Sequence, residues 1–183
     1  MKTKIVNYFG GPGAGKSTDS AALYVEMKRA GYDVELVREV AKKWAWQGRE
    51  IGPFDQMAIL GTQMEEESSL FGKVEYILTD SPAFLGGIYL SINHEKDFMM
   101  DTVKNYYDYC QEKGVMFKNY LIPRTKKYNS AGRYEDEFTA TYIDSMIKIQ
   151  LSKYGIPFTE KIPTIKDIVY ETKWDAWSNW IFA

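Results

Sequence analysis

Short apolar runs alternate with longer mixed runs along this chain. Lys4–Phe9 is strand-length and apolar, and residues 16–30 follow as a helix that Gly31 stops. Residues 33–37 read as a second strand. Pro53 opens a helix with Met57, Leu60, Met64 and Phe71 on one face, and Gly72 ends it. The run "VEYILT" at 74–79 is a third strand, closed by Asp80. The spacing then predicts a helix over 95–113, with Asn93 as its cap and Gly114 as its stop.

Residues 116–122 form a fourth strand that ends at Pro123. A polar stretch, "RTKKYNSAGRYEDEF", carries Asn129, Ser130 and Gly132 and reads as a mobile loop before a helix that starts near Glu135. Gly155 closes that helix, and "IPFTEKI" supplies a fifth strand. Beyond Thr164, the residues Ile165, Ile168, Val169, Trp174, Trp177 and Trp180 share roughly one face and read as core packing.

Strands separated by helices at this spacing imply an α/β fold: a five-stranded parallel sheet covered on both faces, a three-layer sandwich. Ligands in such sheets bind beyond the carboxyl ends of the strands. Four special segments fall on that rim: "GGPGAGKST", "REVAKKWAW", "DSP" and "PRTKKYNSAGR".

Composition narrows the setting. At 183 residues the expectation is a single domain, 1–183, and a 45% hydrophobic, 26% charged chain is ordinary for a folded protein. A net charge of -2 gives no general attraction to nucleic acid, so small ligands are favoured over polymers. Cys110 is the sole cysteine, which excludes a disulfide framework and a cysteine-rich metal site. With neither a signal-peptide pattern nor a bilayer-length apolar span, the expected setting is cytoplasmic, without a membrane partner. Homo-oligomerisation stays open.

The glycines at 10, 11, 13 and 15, followed by Lys16, Ser17 and Thr18, satisfy G-x-x-x-x-G-K-[ST] between a strand and a helix. Backbone N–H groups of Gly11, Gly13, Ala14, Gly15, Lys16, Ser17 and Thr18 would then cradle a nucleotide polyphosphate. Lys16 supplies a point charge, and the hydroxyl of Ser17 suits Mg²⁺. Asp80, ending the third strand, suits a metal-bound water or an incoming proton. Glu39 ends the second strand and is the other candidate base. Arg38, Arg124 and Arg133 have the planar fork that matches phosphoryl oxygens, and the last two bracket a candidate lid at about 124–137. Trp44 is a candidate plane for stacking a base.

With these segments in place the chain resembles the small P-loop nucleoside and nucleotide kinases, phage-type nucleotide kinases and ribosylnicotinamide kinases among them. The resemblance implies ATP and Mg²⁺ at Lys16 and Ser17, Asp80 at the metal or base position, and Arg133 acting from the lid. Arg38 and Glu39 would face the acceptor. Ser81 and Pro82 depart from the arginine that deoxynucleoside and thymidylate kinases place after the third-strand acid. Three functions follow as expectations. The first is transfer of the γ-phosphoryl group of ATP to a nucleotide or nucleoside. The second is the same transfer to a hydroxylated base in DNA. The third is a regulatory ATPase or switch, for which Gln47, Gln56 and Gln63 are candidates to orient water.

Overall fold

The computed structural model describes residues 2–94, 99–125, 127–131, 133–170 and 174. Its strands are β1 (Lys4–Phe9), β2 (Val34–Val37), β3 (Tyr76–Thr79), β4 (Met116–Leu121) and β5 (Thr159–Glu160). The helices are α1 (Lys16–Arg29), α2 (Ala41–Trp46), α3 (Pro53–Ser68), α4 (Ala83–His94), α5 (Met99–Glu112) and α6 (Glu137–Lys153), followed by one π-helical turn at Lys166–Tyr170. The strands form one all-parallel sheet in the order β2-β3-β1-β4-β5.

Side chains alternate across this sheet, and each face has its own core. Ile5, Phe9, Ile77, Phe117 and Leu121 pack beneath α3, α4, α5 and α6. Val6, Tyr8, Leu78 and Tyr120 pack against Leu23 and Met27 of α1, with Ile168 and Trp174 from the tail. Three layers result, as the alternation predicts. Trp177 and Trp180 lie outside the described residues. Where β1 meets β4, Asn7 pairs with Asn119 and donates to its side-chain oxygen at 2.8 Å, so the buried polar pair is satisfied inside the sheet.

One element differs in kind from the sequence expectation. Ala83–His94 is a helix that the pattern did not signal, and the predicted 95–113 helix is Met99–Glu112. The segment "AFLGGIYLSINH" lacks a polar face because it is buried on several sides, so no amphipathic period marks it. Its paired glycines read as breakers but serve packing: a Cβ on Gly87 would lie 2.8 Å from Met100 Sδ. Residues 95–98, between the two helices and including the predicted start at Glu95, lie outside the description.

The inward face of α3 is also different. Met57 is 48% exposed, whereas Ile59, Leu60, Gln63 and Glu67 are buried. Tyr106 on α5 donates to Glu67 Oε2 at 2.7 Å, and Gln63 donates to Thr79 Oγ1 at 3.2 Å. Burial pushes the Glu67 carboxyl up to about 7 against these hydrogen bonds. Between its ordinary value and this raised one, the folded protein holds a proton that the unfolded chain has released. Stability should therefore fall as pH rises from about 4.5 through about 7. The span corresponds to about 3 kcal/mol. Glu67→Gln should flatten that dependence in thermal melts at about pH 5 and about pH 8; an unchanged slope would show that Glu67 does not cause it.

Candidate functional site

Beyond the carboxyl ends of β1, β2 and β3 lies a cavity of about 340 Å³. Its walls come from four segments: the β1–α1 loop, α2 with the start of α3, the beginning of α4, and the stretch after β4. Gly13, Gly15, Lys16, Ser17 and Thr18 form one wall, Arg133, Tyr134 and Glu135 another. Glu39 and Lys42 stand on the β2 side, and Ile51, Gln56, Ile59 and Tyr89 line the apolar part.

The glycine-rich loop is held from behind. Asp144 on α6 accepts the Gly11 N–H at 2.6 Å through Oδ1 and Arg124 Nε at 2.8 Å through Oδ2. Arg124 also donates to Pro12 O at 2.8 Å. The helix approaches so closely that a Cβ on Gly11 would lie 2.7 Å from Ala140 O. Gly13 adopts φ 75°, and a Cβ there would meet the Tyr128 ring at 2.9 Å.

These bonds revise two sequence expectations. The Gly11 amide, expected to point at phosphate, is engaged by Asp144, and Ala14 is buried behind the loop. Arg124, expected to reach into the cavity, braces the loop instead and is not among the residues lining it. Asp144 itself escaped the sequence reading. Its one signal is position: it follows Ile143 directly, beside the buried stripe of Ala140, Ile143, Ile147 and Leu151.

Lys16 belongs to a segment that the sequence places on the rim, yet it is only 7% exposed. Its ammonium donates to Gly10 O at 2.6 Å and Gly11 O at 3.1 Å, because a charge in a narrow loop is stabilised by the nearest carbonyl oxygens. Burial lowers its proton affinity, while Glu39, Asp80 and Asp144 oppose that effect. Across the cavity, burial raises the Glu39 carboxyl above its ordinary range and Lys16 works in the other direction. Glu135 is raised as well, again chiefly by burial. An ammonium therefore faces two carboxyls of enhanced basicity.

Asp80 is 2% exposed and accepts the Glu39 N–H at 2.7 Å, which fixes the end of β2 against the end of β3. It does not line the main cavity. It lines a second groove of about 450 Å³ with Arg38, Glu39, Lys42, Lys43, Trp46 and Gln47. Arg38 thus faces this groove rather than the main cavity. Trp44, expected to stack on a base, lines neither; the Arg49 guanidinium covers its ring at 3.6 Å from the centroid. Sequence reasoning could not distinguish two tryptophans two positions apart, yet a helix sends them to opposite sides.

The segment after β4 crosses the cavity. Tyr134 donates to Arg49 O at 2.5 Å, tying it to the turn after α2. Arg133 Nε donates to Asn129 O at 2.7 Å, and the residue lines the cavity. Tyr128 donates to Glu135 O, and Asp136 caps α6 by accepting the Thr139 N–H at 2.8 Å. Lys126 and Gly132, noted in the sequence, lie outside the described residues.

Among the described residues there is no cluster of three His, Cys, Asp or Glu side chains to cage a metal. Mg²⁺ needs no such cage, since it commonly takes one or two protein oxygens and completes its shell with phosphate and water. The Ser17 hydroxyl opens α1 after β1, and the Asp80 carboxylate ends β3, the strand paired to β1. Both are hard oxygen donors of the kind Mg²⁺ takes; Ser17 lines the main cavity and Asp80 the adjoining groove.

No protein-family model and no curated protein matches this chain. Solved structures do. The chain is similar to deoxyadenosine kinase from M. mycoides with bound dATP, at 19% identity over 87% of this chain and 90% of that one, with a TM-score of 0.51. The same enzyme with products dCMP and dCDP gives 16% identity over 87% and 90%, with a TM-score of 0.53. An APS kinase from Mycobacterium tuberculosis matches at 12% identity over 83% and 99%, with a TM-score of 0.46. The shared feature is the fold, a parallel five-stranded sheet in an α/β sandwich like that of the deoxyadenosine kinase.

Proposed function

We propose that this protein transfers the γ-phosphoryl group of ATP to a nucleotide or nucleoside acceptor. The observation that carries the reading is the joint placement of the glycine-rich loop, Lys16, Glu39 and Arg133 around one cavity closed by the Tyr134–Arg49 bond. The likeness to a deoxyadenosine kinase supports the fold that such chemistry uses.

The loop amides and Lys16 hold the phosphate chain, and Ser17 with Asp80 would hold Mg²⁺. Bound there, Mg²⁺ would neutralise charge on the phosphate oxygens. The apolar wall of Ile51, Ile59 and Tyr89, with the Gln56 amide beside it, accommodates a flat ring that carries polar edges. Glu39 accepts the proton of the attacking acceptor oxygen as a new P–O bond forms. The bond to the β-phosphate oxygen breaks and ADP leaves, while Arg133 balances charge on the transferring group. Closure excludes water and so suppresses hydrolysis.

A switch would need a glutamine free to orient water. Gln63 donates to Thr79 and to Glu67, inside the core. Gln56 is the glutamine on the main cavity wall. ADP release from ATP·Mg²⁺ across a panel of nucleosides, nucleoside monophosphates and oligonucleotides tests the proposal. Acceptor-dependent ADP with a phosphorylated product supports it, and acceptor-independent release would favour the switch. For Arg133→Ala we expect turnover to fall about a hundredfold with ATP affinity changed far less; unchanged turnover would remove the lid role.

A further inference from the structure

We infer that the groove beside the main cavity binds a single strand of nucleic acid, so that the acceptor is one nucleotide of that strand. This rests on the phosphotransferase reading of the adjoining cavity and goes on to name its substrate class. The two cavities share Glu39 and Lys42, so a chain lying in the groove continues into the acceptor side.

The groove's chemistry is that of a strand binder. Arg38, Lys42 and Lys43 supply three cations; among the described residues the side chains of Arg38 and Lys43 have no ion-pair partner, and Lys42 is drawn to Glu39 at the inner end. Positive charge gathered at one spot suits phosphodiesters. The two acids of the groove stand at its inner end: Asp80 is buried against the Glu39 amide, and Glu39 faces Lys16. Trp46 is 66% exposed beside the cations, on the side of α2 opposite Trp44. An aromatic plane next to a cationic track is what unpaired bases stack upon, and a duplex offers no free base face. β2 is an edge strand of the sheet, so no further strand lies beyond the groove on that side. A net charge of -2 spread over 183 residues does not cancel a local field of this kind at short range.

Anisotropy with a fluorescent oligothymidylate of about twelve nucleotides, titrated at several NaCl concentrations, tests the inference, with ATP binding measured by calorimetry on the same preparations. Three neutralised phosphates give a slope of about -2 for log affinity against log salt. Lys43→Ala should reduce the slope by about 0.7, and Trp46→Ala should weaken binding about tenfold with the slope retained. Both residues line the groove alone, so ATP binding should be unchanged in each. Wild-type protein that binds ATP but not the strand at about 50 mM NaCl would overturn the inference and leave the kinase reading intact. Strand binding that neither variant alters, or equal affinity for a duplex of the same length, would also overturn it. Protein that fails to bind ATP yet shows the predicted groove responses would sink the kinase reading alone.

Discussion

Lys16→Ala is expected to lower kcat/KM by at least about a hundredfold, the scale on which loss of one preorganised donor to a developing charge is felt. The ammonium sits 2.6 Å from Gly10 O and 3.1 Å from Gly11 O, at the wall where phosphate oxygens would lie. Because it also knits the loop to itself, the substitution has a second effect. The Gly10 and Gly11 carbonyls lose a buried partner, which costs on the order of 1–3 kcal/mol. We therefore expect a lower melting temperature together with the loss of turnover. Lys16→Met removes the ammonium while keeping the side-chain volume, so it loses the same bonds without opening a cavity. Both variants should be inactive; either one retaining wild-type kcat/KM would exclude Lys16 from the reaction.

How far the sequence reaches is set by the range of the interactions. The glycine-rich loop was legible because its spacing encodes a local backbone path between one strand and the next helix. β1, β3 and β4 were legible because strands buried on both faces are rich in apolar and aromatic residues, even where Asn7 and Asn119 interrupt them. Ala83–His94 was not, since a helix buried nearly all round has no polar period to display. The partner of Gly11 lies 133 positions away on α6, and nothing local announces it. The three arginines illustrate the same boundary. Residue type marked each as a phosphate catcher, yet tertiary contacts assign Arg124 to the back of the loop, Arg38 to the outer groove and Arg133 to the main cavity.

In the proposed transfer Glu39, rather than Asp80, is the general base, and Glu39→Gln should reduce kcat about 10²- to 10⁴-fold with little change in ATP affinity. Glu39 lines the cavity that holds Lys16, whereas the Asp80 carboxylate is turned to the Glu39 amide and buried. Burial raises the Glu39 carboxyl, and a base must be deprotonated to work. Activity should therefore decline on the acid side at a pH above the ordinary glutamate range, and be fully present at higher pH. Glutamine has the same shape but accepts no proton, so the residual activity of the variant should lose that acid limb. An unaltered limb in Glu39→Gln, or a kcat within a few-fold of wild type, would move the role to another carboxylate, and Glu135 would be the next to substitute because it lines the same cavity with its proton affinity also raised by burial.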